Sequence, residues 1–378
     1  MNRVGIIGGG QLAWMMADAA KKLSVELIIQ TPSQTDPAVA IATQTILAPI
    51  DDADSTAHLA ACCDVITFEN EFVDLDALSH LEKQGVCFRP SLSALKPLLD
   101  KYDQRGYLRD RRLPVPKFFA LEAGSSLQTA EFPIVLKTRR HGYDGQGTFI
   151  LKTAEELAAI LKTLNNQPLL VEEFVPFERE LAVMAARSLT GEVVIYPIVE
   201  TQQEDQVCRR VIAPADLLSS TIIEVETIAR TLLESLQVVG IFGIELFLTH
   251  EGKVLVNEIA PRTHNSGHYT IDACVTSQFE QQLRAVCGLP LGSPALTCDG
   301  AGAVMINLLG YEHSESDYLD KRQQLAEIPG AVVHWYGKTE SRLGRKLGHV
   351  TVLLKGSSDF RQRAIEIGQT IESIWYST

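Results

Sequence analysis

The chain predicts an α/β unit of doubly wound parallel sheet followed by α+β units, and three observations carry that expectation. Residues 3–29 read as strand, glycine turn, helix and strand. Beyond Pro114 short strands follow one another with few helices between them. Two apolar runs flanking Glu251 and Gly252 close as a hairpin. At 378 residues the chain exceeds one ordinary core, so two or three packed units are expected.

Taken in order, Arg3 to Ile7 is a buried strand, Gly8 to Gly10 a tight turn, Gln11 to Leu23 a helix and Val25 to Ile29 a second strand. "DVITFE" from Asp64 and the stretch Val86 to Phe88 extend the parallel sheet, which places a doubly wound domain at 1–95. "RPSLSALKPLLD" hands over to a helix. The strands "PIVLK", "GTFIL", "LLVEEF", Arg179 to Ser188 and "VVIYPIV" follow, with a helix near Glu155 to Leu164 between the second and third. Helix Asp216 to Leu236, the hairpin and helix Ser277 to Cys287 complete a central domain at 96–290, with a lid over about 115–178. Past the Pro290 to Pro294 boundary, strands near Ala303, Val332 and Val350 and a helix from Asp359 to Ile374 form a small C-terminal domain at 291–378.

Composition narrows the function classes. Hydrophobic content of 46% with 21% charged residues is that of a globular chain, and a net charge of −13 argues against a general nucleic-acid surface. Seven cysteines form no CxxC or zinc spacing, so reduced thiols and a cytoplasmic location are expected. No apolar run approaches the ~20 residues of a membrane span, and no signal peptide is read at the N-terminus.

The hairpin carries the strongest chemical signal. Pairing residues 241–249 with 254–259 symmetrically about the turn sets Glu245 opposite Glu258, where facing side chains lie roughly 5 Å apart and like charges repel. Two carboxylates in otherwise apolar strands need a cation, a shared proton or a basic partner. Hard oxygen donors with Asn257 alongside favour magnesium over a solvated hairpin edge.

Three further blocks are weaker alone. The turn Gly8 to Gly10 points backbone N–H groups at an anion, or merely lets strand and helix pack. Gln30 and Thr31 stand where a nicotinamide enzyme wants an acid for the ribose. In "PIVLKTRRHGYDGQGTF", Lys137 ends a strand, and a glycine-bearing connection around Tyr143, Asp144, Gly145, Gln146 and Gly147 suits a phosphate cover as well as an ordinary hairpin loop. "LLVEEFVPFERELAV" offers Glu172, Val175 and Glu180 as an adenine and ribose edge. "YGKTESRLGRKLGH" concentrates Lys338, Arg342, Arg345, Lys346 and His349, which suits a phosphate monoester beyond a solvated basic turn.

In combination, "GGGQL", "HGYDGQG", "NEIAPRTHNSGH" and "YGKTESRLGRKLGHVTV" resemble the ATP-grasp superfamily and, within it, the N5-carboxyaminoimidazole ribonucleotide synthetases, over nearly the whole chain. That resemblance implies ATP-grasp architecture and ATP- and bicarbonate-dependent carboxylation of an aminoimidazole ribonucleotide. It implies that Lys101, Lys137, Glu172, Val175 and Glu180 hold ATP, that Tyr143, Gly145, Gln146 and Gly147 cover its phosphates, and that Glu245 and Glu258 bind Mg2+ beside Asn257. The ribonucleotide would lie among Gln11, Glu71, Tyr143, Asp144, Arg262, His264, Asn265, Ser266, Lys338, Arg345 and Lys346. Asp144 is the candidate proton acceptor; Arg262 would stabilise carboxyl and phosphoryl oxygens, and Lys338 would meet the substrate phosphate. A homodimer with small-molecule substrates, and with neither nucleic acid nor membrane as partner, is the implied assembly.

The chain departs from that family at Ala13 and Trp14, at Arg105 in place of a lysine, and at Thr201 and Gln203. Rival readings are another ATP-grasp ligase (a formate-dependent transformylase or a biotin-dependent carboxylase), a nicotinamide oxidoreductase built on Gly8 to Gly10, and a silent nucleotide-binding module. Formate dependence, a biotin carrier lysine, cofactor fluorescence quenching and absence of turnover respectively discriminate them.

Overall fold

The structure, a computed structural model, describes residues 2–122, 131–140, 142, 147–164, 167–297, 301–338, 340–355 and 359–377. Its first sheet is parallel, in the spatial order Gln44–Leu47, Glu26–Thr31, Arg3–Ile7, Val65–Phe68. Past their exposed first residues, Arg3–Ile7 and Glu26–Thr31 are wholly buried, as strands covered on both faces must be. Two details differ from expectation. The strand Gln44–Leu47 adds an edge not anticipated from the sequence, and Val86 to Phe88 contributes only an isolated parallel bridge, Ile66 to Phe88. The expected helix Gln11 to Leu23 is also two pieces, Gln11–Trp14 and Ala17–Leu23. Between them Met16 N–H reaches Ala13 O at 3.1 Å, an i→i−3 bond that tightens the turn and turns Met16, 1% exposed, into the core.

A second sheet is antiparallel, in the order Phe118–Leu121, Leu169–Glu173, Ile134–Thr138, Thr148–Leu151. Leu136, Leu151 and Val171 form its core with Leu157 of the helix Ala154–Thr163, which Thr153 caps by accepting from Glu156 N–H.

The third sheet is also antiparallel and runs Val254–Ala260, Gly240–Thr249, Phe177–Arg187, Val199–Glu204, Val207–Ala213, Ala301–Leu309, Lys346–Lys355, Ala331–Trp335, with Val193–Ile195 paired to Phe177–Arg187. The single strand expected in "VVIYPIV" is therefore two, interrupted where Pro197 has no N–H for a ladder. The strand Val207–Ala213, which carries charged Arg209 and Arg210, is another not anticipated from the sequence. Arg210 pairs with Glu372 at 2.8 Å, and the strand bonds through Val211 to Met305. Through it the C-terminal strands continue the central sheet instead of building one of their own.

The helix Ser219–Leu236 covers one face of this sheet with Val225, Ile228, Ala229, Leu232, Leu233 and Leu236, spaced for one helical stripe. Among the described residues no helix is long and apolar enough to cross a membrane.

Candidate active site

The hairpin does pair Glu245 with Glu258, but by a route that symmetric pairing misses. Thr249 N–H to Lys253 O, Leu248 with Val254 and Leu246 with Val256 centre the turn on Glu251. The register then shifts by one residue, so that Glu245 faces Glu258 and Ile244 faces Ile259. Asn257 is the extra residue of a β-bulge. It gathers around Glu245: its Nδ2 donates to Glu245 Oε2 at 3.4 Å, while its Oδ1 accepts from Lys137 Nζ at 3.1 Å.

The helix Lys101–Asp110 holds this bulge in place. Asp100 starts it by accepting from Tyr102 N–H at 2.8 Å and is itself clasped by Arg139 Nε at 2.9 Å. Lys101, Gln104, Arg105 and Leu108 then share one face by helical spacing. Gln104 acts as a surrogate strand for the sheet edge: its Oε1 accepts from Ile259 N–H at 3.0 Å and its Nε2 donates to Ile259 O at 3.2 Å. Lys101 Nζ lies 2.5 Å from Glu258 Oε1. Arg105, 2% exposed, donates both to Glu172 and to the bulge carbonyl of Asn257. One side chain thus ties the second sheet to the third.

Glu172 and Lys137 are cross-linked on neighbouring strands at 2.8 Å. Burial would raise the Glu172 pKa, but Lys137 and Arg105 outweigh it and hold the carboxyl down at about 2. The same burial lowers the Lys137 pKa despite Glu172. Because the Glu172 value falls from 4.5 unfolded to about 2 folded, its stabilising contribution is complete above about 4.5 and is lost as pH falls toward 2. The stability gap between wild type and Glu172→Gln should accordingly be constant from about pH 7 to 5 and shrink below about 4.5 in urea titrations. A gap that widens on acidification would contradict the assignment.

The acidic row behaves oppositely. Burial, then Glu258, pushes Glu245 up to about 7, and burial, then Glu245, pushes Glu180 up to about 7. Glu258 stays low because Lys101 and Lys137 outweigh its burial. The chain therefore supplies hard oxygen donors with negative potential still uncompensated at Glu245, which fits a magnesium ion.

A second polar group is built by the turn after the hairpin. Arg262 pairs with Glu71 at 3.0 Å, and its pKa rises because Glu71 and then Glu69 outweigh its burial. Gln278 clamps the turn by accepting from His264 N–H at 2.9 Å and donating to His264 O at 2.8 Å. His264 Nδ1 meets Ser266 Oγ at 2.9 Å, and its Nε2 lies 3.5 Å from Glu245. Lys338 Nζ donates to Lys346 O at 2.6 Å, which folds the basic block inward; Lys346 then lies close enough to oppose in part the rise of the Glu245 pKa, and to add to the lowering that burial imposes on His268.

Lys101, Lys137, Glu172, Glu245, Asn257, Glu258, Glu71, Arg262, His264, Ser266 and Lys346 line one cleft of about 1740 Å³, which also includes Gln11, Glu69, Val175, Glu180, Asn265, Lys338 and Arg345, while Arg105 and Gln278 support it from outside the lining. Gly147 stands outside this lining, at φ +78 against Thr138, and its O accepts from Thr138 N–H at 2.8 Å. Tyr143, Asp144, Gly145 and Gln146 lie outside the described residues.

Three placements alter the expected roles. The glycine turn has an internal anion: Leu12 N–H donates to Glu69 Oε1 at 3.3 Å, and a Cβ at Gly8 or Gly10 would strike Glu69. Its glycines therefore serve close packing in this structure. Asn265 exchanges both amide bonds with Asn307, at 2.9 and 2.7 Å, so its side chain is spent on the C-terminal strand. Glu172, expected at an adenine amine, is committed to Lys137 and Arg105. Sequence reading missed Glu69, Gln104, Gln278 and Asn307. Only Glu69 left a signal, as an acid just past the strand Val65–Phe68.

Two antiparallel sheets joined across a cleft, with a buried lysine on one and paired carboxylates on the other, define an ATP-grasp protein. The ATP-grasp domain model matches residues 107–279, flanked by the ribonucleotide synthetase preATP-grasp domain at 1–97 and the phosphoribosylaminoimidazole carboxylase C-terminal domain at 303–363. The chain belongs to the N5-carboxyaminoimidazole ribonucleotide synthase family. It is 55% identical to the Synechococcus elongatus synthase over 99% of this chain and 96% of that one. A synthetase solved as its ADP complex superposes with TM-score 0.90 at 34% identity, covering 99% and 97% of the two chains. The Aspergillus clavatus synthase in complex with ADP and 5-aminoimidazole ribonucleotide gives 0.86 at 30% identity, covering 98% and 99%. At Trp14, where the family resemblance breaks, the indole packs edge-on against Tyr336 with ring centroids 6.3 Å apart.

Proposed function

We propose that this chain carboxylates the exocyclic amine of 5-aminoimidazole ribonucleotide, consuming ATP and bicarbonate and releasing ADP and phosphate. The observation that carries the reading is the convergence, in one cleft, of the acidic hairpin, the Lys137 side of the second sheet and the basic block of the C-terminal strands.

A bicarbonate oxygen attacks the γ-phosphorus, the bond to the β-phosphate bridging oxygen breaks, and carboxyphosphate and ADP result. The ribonucleotide amine then bonds to the carboxyl carbon, or to the CO2 it releases, and phosphate leaves. Magnesium, held by Glu245 and Glu258 beside Asn257, would neutralise charge on the triphosphate. Lys137 adds a fixed cation beneath the phosphates, and Gln146 and Gly147 belong to the connection that covers them. Arg262, oriented by Glu71, faces the carboxyl oxygens. Asp144 accepts the amine proton beside Tyr143. Lys338, Arg345 and Lys346 bind the substrate phosphate. Val175 and Glu180 border the nucleoside, while Gln11, His264 and Ser266 border the ribonucleotide.

ADP release by the purified chain should require both the imidazole ribonucleotide and bicarbonate, with formate unable to replace the latter. Asp144→Asn should keep ATP binding and lose coupled turnover by about a hundredfold or more. Turnover with formate and without bicarbonate would refute the reaction; full turnover by the variant would refute only the role of Asp144. The reading extends to a cytoplasmic homodimer, checked by sedimentation at twice the monomer mass.

A further inference from the structure

We propose a second cation site, distinct from the acidic hairpin, in which Asp272, His334 and His349 bind a late first-row divalent ion of the zinc class. Among the described residues these three each offer a ligand atom within 4.8 Å of the other two. They come from the helix Thr270–Ala273 and the strands Ala331–Trp335 and Lys346–Lys355, so the grouping is made by the tertiary fold.

His334 and His349 are directly opposed in the ladder, and their rings stack with centroids 4.4 Å apart at 15°. Asp272 Oδ2 lies 2.9 Å from His334 Nε2. His349 is fully buried. Its Nδ1 shares a hydrogen bond with the Tyr336 hydroxyl at 2.8 Å, while its Nε2 has no partner. A buried imidazole nitrogen without a partner forfeits its hydration, and with the proton on Nδ1 it presents a bare lone pair. Burial, then His268 and His334, keeps His349 neutral, the form that ligates a metal.

Two imidazole nitrogens and a carboxylate oxygen are a borderline donor set that suits zinc better than magnesium. Tetrahedral zinc places its donor atoms about 3.3 Å apart and needs the in-plane lone pairs of both imidazoles to converge, so binding turns the partly exposed His334 ring out of the stack while the donors close by about 1.5 Å at most. Tyr336 supplies the outer hydrogen bond that orients a ligating histidine. Asp272 and His334 side chains are 11% and 20% exposed, which leaves room for water as a fourth ligand. An ion here would staple the helix that follows the His264 to His268 turn to the two strands flanking the basic block. His268 itself lies 5.2 Å from His349, ring to ring.

The test uses the full chain, freed of metal by chelation and titrated with cobalt(II) in excess magnesium. One equivalent should produce the visible bands of tetrahedral cobalt, and zinc should displace them. His334→Ala and Asp272→Asn should each weaken cobalt binding at least about tenfold, while Glu245→Gln, at the other cation site, leaves the titration unchanged. Asp272→Asn preserves size and a hydrogen bond to His334, and circular dichroism confirms its fold. Absence of the bands in wild type, or their persistence at equal affinity in Asp272→Asn, would overturn the proposal.

Discussion

Glu245→Gln is expected to abolish ATP-dependent turnover, by on the order of a thousandfold, while leaving the protein more stable. The catalytic loss follows from removing one of two oxygen donors where triphosphate charge must be neutralised. The stability gain follows from the direction of the Glu245 shift. Its pKa is raised from 4.5 to about 7 by burial and by Glu258, so ionising it costs the folded state free energy as pH rises from about 4.5 through 7. Above that range the carboxylate is charged at the folded protein's expense, and glutamine removes the cost. At about pH 8 without magnesium, the thermal midpoint should rise by about 1 °C, corresponding to roughly 1 kcal/mol in a chain of 378 residues. A residue that merely packed the hairpin would show the opposite pattern, with lower stability and modest loss of turnover. A lowered midpoint together with turnover within tenfold of wild type would remove Glu245 from the site.

Arg105→Leu is expected to destabilise the chain by about 3–5 kcal/mol, measured by urea unfolding. The guanidinium is 2% exposed and serves two partners on different sheets, the Glu172 carboxylate and the Asn257 carbonyl. Its removal leaves Glu172 with Lys137 alone and the bulge carbonyl unpaired. Arg105→Lys keeps the charge but lacks the planar fork that reaches both partners, so a smaller cost of about 1–2 kcal/mol is expected. The lysine variant should also raise the KM for ATP, because the bulge that sets Asn257 and Glu258 around Glu245 loses an anchor. Leucine tolerated within about 1 kcal/mol of wild type would show that the two sheets do not depend on this bridge.

Both predictions concern groups that differ in how far the sequence revealed them. Glu245 and Glu258 stood out because carboxylates are costly in apolar strands and the turn at Glu251 and Gly252 announces a hairpin. Even there the symmetric count reached the right pair through the wrong register, since a bulge adds a residue without leaving a compositional mark. Arg105 was visible only as a residue standing where a lysine was expected. Its partners lie 67 and 152 residues away, beyond what periodicity reports.

Local order was readable for a physical reason: helix stripes, caps and tight turns depend on neighbours within a few positions. Ser277 capping Gln278–Cys287 and the spaced Val225, Ile228, Leu232 and Leu236 are examples. The chain by itself thus determined its strands and helices in outline, its acidic hairpin and its basic C-terminal block. Tertiary structure alone decided that Val207–Ala213 carries the last strands into the central sheet, that Glu69 fills the glycine turn, and that Asn307 consumes Asn265. Those outcomes turn on which distant polar groups satisfy one another once water is excluded. Pairing of that kind is set by the packed geometry of the whole chain, and no short stretch of residues encodes it.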